Sequence, residues 1–210
     1  MKIDSVRNAV VGIIDYQAGN IQSIENAFIH IGARVIRVVA EHQIQDCTHL
    51  VLPGVGAFGF CAEHLRSSGL IPALERWALE EGRPLLGICV GMQLLSDSSE
   101  ESEESQGLGW FGGTVKRILA SPGIRVPHVG WNIVAFENDF GEFAAGDETD
   151  FYFDHSFAYQ NPSKGAVLGF CTHGERFSAI IEQGNIIATQ FHPEKSQEAG
   201  LRFLRGFLAR

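Results

Sequence analysis

The chain has no cysteine pair at CxxC spacing, no Pro-rich linker, no internal repeat and no apolar run near the ~20 residues that cross a bilayer. Its four scattered cysteines, Cys47, Cys61, Cys89 and Cys171, offer neither a zinc ribbon nor a disulfide framework, which fits a reducing compartment. Without a long apolar run, no membrane-spanning helix is expected. Near the N-terminus, MKIDSVRNAVVGIIDY holds an apolar stretch of only about six residues and no small-residue cleavage site, too little for a secretory signal. A cytoplasmic location is the expectation.

Basic residues are in deficit. Sixteen Lys and Arg face 25 Asp and Glu, giving a formal net charge of -9 and a pI near 5.3. An acidic surface repels nucleic acid and anionic membranes, so small molecules and other proteins remain as partners. The eight histidines are spread without metal-ligand spacing, and neither a metal nor another cofactor is expected.

What is present suits a folded core. Apolar residues make up 45% and charged residues 20% of 210 positions, the composition of one globular domain over residues 1–210. In the first half, short β-branched runs alternate with helical patterns. AVVGIID (9–15), RVIRVV (34–39), HLVLPG (49–54) and RPLLGIC (83–89) read as strands. NIQSIENAFIHIG (20–32) reads as a helix with a stopping glycine. Helical stretches follow around 62–65, over 70–81 and over VGMQLLSDS (90–98). This alternation implies right-handed βαβ units, hence an α/β fold with a mainly parallel central sheet flanked by helices.

From Gly107 the composition turns to Gly, aromatic and β-branched residues, with GE and GN turn signals. An antiparallel extension of the sheet is predicted there. SQEAGLRFLRGFLAR at the C-terminus has helical spacing. The acidic SDSSEESEESQG reads either as a disordered loop or as the carrier of one useful carboxylate.

The sharpest chemical signal is Gly87-Ile88-Cys89-Val90-Gly91, a G-x-C-x-G between a strand and a helix. Such an elbow pushes its central side chain outward on a strained turn. The helix N-terminus favours a thiolate there, and the Val90 N–H is placed to stabilise an oxyanion. A buried structural cysteine between packing glycines is the alternative.

A nucleophilic thiol needs a base. Of the eight histidines, His192 stands in QFHPE directly after the apolar NIIATQF, with Glu194 two residues on to orient the imidazole. The bland reading of HPE is a strand-ending turn with a surface acid. Pro53-Gly54-Val55-Gly56 also follows a strand, and in an open parallel sheet it faces the same crevice as the elbow, where its amides complete an oxyanion hole.

With these three elements in place the sequence resembles the glutaminase subunits of imidazole glycerol phosphate synthase, a family of class I glutamine amidotransferases. The resemblance runs through IDYQAGNIQSI, LPGVGAFG, RPLLGICVGMQLL, SSEES, GLGWFGGTV, RVPHVGWN, YFDHSF and QFHPEKSQEAGL. It implies a single type 1 amidotransferase domain in which Cys89 attacks the glutamine side-chain amide, His192 is acid and base, and Glu194 completes the triad. Gly54 and Val55 then form the oxyanion strand, and the amide near Val55 must reorient for full activity. Gln93 and Glu101 are implied to hold the polar end of the substrate, and His155, Ser156 and Phe157 to line its pocket through their backbone.

Asn20, Trp131 and Lys195 correspond to positions that face a cyclase subunit of (β/α)8 fold, with which such proteins form a heterodimer. A helix cap, a partly buried core aromatic and a solvated charge are the respective alternatives. The sequence departs from the family pattern at Gln17, where a glycine is usual, and in the acidic run ESEESQ. Three rival readings share the motifs: a glutaminase feeding a surface-sugar amidating synthase, a catalytically silent binding or redox module, and a cysteine peptidase or γ-glutamyl hydrolase.

Overall fold

A computed structural model describes residues 8–160, 162 and 164–210, leaving the Glu103 side chain aside; the expectation about an N-terminal signal falls partly on residues 1–7, outside this range. Strand β1 (Val10–Ile14) is buried throughout. The chain then enters helix α1 (Ile21–His30), whose Asn20 side chain accepts from the Ser23 N–H at 3.4 Å. Ile21, Ile24, Ala27 and Phe28 give this helix its buried stripe. Strands β2 (Arg34–Val38) and β3 (His49–Leu52) follow, then α2 (Phe58–Ser67), α3 (Ile71–Glu75) with a π-helical turn over Arg76–Glu80, and β4 (Leu85–Ile88).

Strands β1 to β4 pair in parallel in the order β2-β1-β3-β4. The first crossover moves one way from β1 and the β3-to-β4 crossover moves the other. Right-handed connections therefore place α1 and the α2–α3 pair on opposite faces. A crevice opens at the carboxyl ends of such strands.

Helix α4 (Val90–Gln93) is far shorter than its apolar pattern predicts. The carbonyls that would carry it onward are taken by another segment: Leu94, Leu95 and Ser96 accept from Leu108, Phe111 and Gly109 at 2.7–2.8 Å. The acidic stretch is an ordered hairpin rather than a loop, β5 (Ser98–Ser99) against β6 (Ser102–Gln106).

The second half extends the sheet as expected, through β8 (His128–Phe136), β9 (Glu148–His155), β11 (Ala166–His173), β12 (Glu175–Gln183) and β13 (Ile186–Thr189). Strand β13 lies parallel beside β4, and the sheet continues antiparallel as β12-β11-β8-β9. The β11–β12 and β12–β13 hairpins turn at Gly174 and Gly184-Asn185. One part departs from expectation: β7 (Thr114–Arg117) and β10 (Phe157–Tyr159) leave the main sheet and form a separate one with β5 and β6.

Helix α5 (Gln197–Leu208) closes the fold over an aromatic layer in which Phe151 stacks on Phe191 at 4.0 Å and Phe203 meets Phe140 and Phe191 at 4.6 and 5.4 Å. Among the described residues no helix is long and apolar enough to cross a membrane.

Candidate active site

Register brings the elbow and the far end of the chain together. Thr189 pairs with Ile88 across β13 and β4, and the Cys89 N–H donates to the Thr189 carbonyl at 2.7 Å. Three residues past that pairing, the chain reaches His192. On the other side Leu52 pairs with Gly87, which lays Pro53 and Gly54 against the elbow. The contact is so close that a Cβ on Gly91 would lie 1.9 Å from the Leu52 carbonyl oxygen, and one on Gly54 would lie 2.6 Å from the Gly91 nitrogen. Only glycine fits at either position.

Cys89 itself has φ 54° and ψ -112°. A non-glycine residue held at positive φ stores strain that the surrounding structure must enforce, and here it turns the thiol out of the sheet. Cys89 lines a cavity of about 220 Å³ together with Val55, Val90, Gln93, Glu101 and His192, walled by the 154–157 segment.

His192 Nδ1 and Glu194 Oε1 are 2.8 Å apart, and the Glu194 side chain is 1% exposed. Burial pushes the imidazole pKa down, but the Cys89 sulfur facing it and the Glu194 carboxylate behind it push harder, raising it to about 10. The imidazole is thereby held toward its protonated form beside the Cys89 sulfur.

The oxyanion region differs from the simplest sequence expectation. The Val90 N–H is not open: it donates to the Gly54 carbonyl at 3.3 Å. That peptide is held at its flanks, where the Tyr16 hydroxyl donates to the Pro53 carbonyl at 2.5 Å and the Cys61 thiol to the Val55 carbonyl at 3.6 Å. The amide expected to stabilise an oxyanion is thus engaged by a carbonyl.

Gln93 is buried and donates to the Phe157 carbonyl at 2.9 Å and to Gln190 Oε1 at 3.0 Å. Glu101 sits at the β5–β6 turn, where one carboxylate oxygen accepts from the Phe58 N–H at 2.7 Å at the start of α2. His155 is buried with Nδ1 on the Phe157 carbonyl at 2.8 Å; Ser156 and Phe157 complete the wall as the chain passes from β9 to β10.

Asn20 caps α1, as in its structural alternative. Trp131 is 47% exposed on β8, with Val129 and Ile133 beside it on the same outer face. Lys195 lies 3.9 Å from Asp154 and 5.5 Å from the centre of the Tyr152 ring, which itself meets Trp131 edge-on at 6.2 Å.

Sequence reading passed over Gln190, Tyr16 and Cys61. Gln190 carried a signal, being an amide at the end of an otherwise apolar strand. Tyr16 and Cys61 carried none.

Comparison with known proteins decides the family. The profile described as Glutamine amidotransferase class-I matches residues 12–210. The chain belongs to the class I glutamine amidotransferases.

Within that family, it is 43% identical over 206 residues to the imidazole glycerol phosphate synthase subunit HisH of Zymomonas mobilis, covering 96% of each chain. It is 42% identical over 210 residues to the chloroplastic imidazole glycerol phosphate synthase hisHF of Arabidopsis thaliana, covering 99% of this chain and 35% of that longer one. Among solved structures, a glutamine amidotransferase crystal structure superposes with a TM-score of 0.75 at 21% identity, over 95% of this chain and 97% of the other, a likeness of fold. The class I amidotransferase fold is therefore that of this chain, and its elbow, oxyanion turn and HPE segment meet in one crevice.

Proposed function

We propose that this chain is the glutaminase subunit of an imidazole glycerol phosphate synthase, hydrolysing glutamine and delivering ammonia to a cyclase of histidine biosynthesis. The observation that carries the reading is the convergence of Cys89 and His192 at one small cavity, with Glu194 buried behind the imidazole. At about 220 Å³ it lies below the ~300–1,000 Å³ of drug-sized clefts and suits a single amino acid. Gln93 and Glu101 at the cavity weigh against a peptidase, and the complete triad weighs against a silent module. The relatives named as synthase subunits support the choice of pathway.

The chemistry follows from the geometry. The Cys89 sulfur attacks the side-chain carbonyl carbon of glutamine, and the carbonyl oxygen becomes an oxyanion. His192 gives its proton to the departing nitrogen, so ammonia leaves and a γ-glutamyl thioester remains. Water then gives a proton back to His192 as it attacks the thioester, releasing glutamate and restoring the thiolate. Glu194 holds the imidazole in the tautomer these transfers need. Gln93, Glu101 and the 155–157 backbone select the amino-acid end.

Ammonia loses its lone pair to a proton in neutral water, so a water-poor path to a partner keeps it reactive. The partner is a (β/α)8 cyclase docking on the face of Asn20, Trp131 and Lys195 to form a heterodimer. The longer hisHF relative supports this, since this chain spans only 35% of it.

Coupling rests on the Gly54–Val55 peptide. With Gly54 accepting from Val90, the hole cannot receive an oxyanion; rotation of that peptide turns its carbonyl away and brings the Val55 N–H in. Partner and acceptor ligand shift this population. If the competent state holds about 1% of the free chain, full engagement raises glutamate release by up to ~100-fold. The test is glutamate release by the chain alone, with a histidine-pathway cyclase, and with cyclase plus its aminoribotide-type ligand. Stepwise stimulation is expected. A rate indifferent to the cyclase and its ligand would move the assignment to a synthase of another pathway.

A further inference from the structure

Gln190 is 0% exposed, an amide at the end of a strand whose preceding four residues are all buried and mostly apolar. A primary amide in such surroundings is tolerated only when its donor and acceptor both find partners. Both do, and the partners are the nucleophile and a wall of the substrate cavity. Gln190 Oε1 accepts from Gln93 Nε2 at 3.0 Å, and Gln190 Nε2 lies 3.8 Å from the Cys89 sulfur.

The orientation of these amides is dictated by one carbonyl. The Phe157 oxygen can only accept, so the Gln93 atom 2.9 Å from it is the NH₂ group. The same NH₂ reaches Gln190, whose facing atom must therefore be oxygen, and the Gln190 NH₂ is left pointing at sulfur.

The carbonyl is fixed from its other side too. His155 Nδ1 must carry a hydrogen to donate to Phe157 at 2.8 Å, so His155 Nε2 accepts from His128 Nδ1 at 2.9 Å. His128 Nε2 in turn accepts from Asn132 Nδ2 at 3.1 Å. Asn132 is oriented independently, because its Oδ1 accepts from the Ile133 N–H at 2.8 Å. Burial keeps both imidazoles neutral, pushing His128 down to about 4 and His155 to about 3, as this directional chain requires.

We propose that Gln190 is a positioning residue that holds an N–H donor on the Cys89 thiolate, with its orientation set through Gln93 by the Phe157 carbonyl of the substrate wall. The inference rests on the glutaminase reading and deepens it: the segment that meets the substrate also aims the group that steadies the nucleophile. Gln190 is not among the residues lining the cavity, so its effect falls on the sulfur rather than on glutamine affinity. The titratable groups around that sulfur are His192 with Glu194 behind it, Tyr16 and Cys61 on the oxyanion-turn side, and Glu101, Asp154 and His155 across the cavity. None of them is altered by the variants below.

The experiment compares wild type, Gln190→Met and Gln93→Met. Methionine keeps the length of the side chain and removes the amide; the second variant leaves Gln190 in place but removes what orients it. Iodoacetamide alkylation of Cys89 is followed against pH by peptide mass, with folding checked by circular dichroism. Glutaminase kcat and KM are measured beside it.

For Q190M the alkylation profile is predicted to move to higher pH, and kcat to fall about tenfold with KM nearly unchanged, as loss of one hydrogen bond to a charged atom implies. Q93M is predicted to move the profile in the same direction while also raising KM. Should Q190M fail to fold, the Q93M profile decides alone. Profiles that superimpose on wild type overturn the role of Gln190. If wild type itself releases no glutamate, the functional reading fails separately, and the alkylation profile still judges Gln190.

Discussion

Four thiols are buried in this protein, yet only Cys89 lines the cavity. Burial pushes Cys47 and Cys61 up to about 11 and Cys171 to about 12, so these three stay protonated near neutral pH and unreactive. Iodoacetamide is therefore predicted to label Cys89 first, by peptide mapping, with the other three labelled only after unfolding. Glu194→Gln leaves a hydrogen-bonding group of the same size but removes the charge that supports the imidazolium. Glutamate release is expected to fall on the order of 10²- to 10⁴-fold with little change in KM.

The histidines also set a pH window. His128 and His155 are pushed below the ordinary value of 6.5 by burial, so the unfolded chain binds protons that the folded chain refuses. Their contribution is full above 6.5 and drains away as pH falls, by about 2 kcal/mol per ring at pH 5. His192 has the opposite sign: raised to about 10, its contribution is full below 6.5 and lost as pH rises through 10. Urea midpoints at pH 5 should lie below those at pH 7.5, and a second loss should run from pH 7.5 to pH 10. A midpoint flat from pH 7.5 to pH 5 would contradict the neutral histidine pair.

At the scale of elements, the elbow and the oxyanion turn are a single packed unit. A Cβ at position 91 would meet the last carbonyl of β3 at 1.9 Å, and neither backbone can withdraw without breaking the β3–β4 pairing. Gly91→Ala is predicted to cost about 3 kcal/mol, read as a lower denaturation midpoint.

This unit was legible in the sequence because strand, glycines and cysteine are local signals, and the parallel half was legible because its strands alternate with helices. The early stop of α4 was not. Leu94 and Leu95 continue an apolar helical pattern, and only the amides of 108–111, distant in sequence, divert the carbonyls. Separation of β7 and β10 into a second sheet escaped for the same reason, since strand composition does not name a partner. The triad residues could be picked out one by one. The engagement of Val90 by Gly54 could not, because it depends on the rotation of one peptide.

For the molecule as a whole, the outer face of β8, one strand in from the edge of a nine-stranded sheet, presents Val129, Trp131 and Ile133 to solvent. Large apolar side chains in such a position fit a docking surface. Trp131→Ala is predicted to weaken cyclase binding by about 2 kcal/mol, seen by calorimetry, without lowering the thermal midpoint of the free chain.

The central claim is that the Cys89 sulfur becomes covalently bound to the substrate. It is tested most directly by acid-quenching the cyclase-stimulated enzyme during glutamine turnover and mapping its peptides by mass. The account predicts a γ-glutamyl adduct on the Cys89 peptide and no glutamate release from Cys89→Ala. Turnover by that variant, or an adduct on any other cysteine, would contradict it.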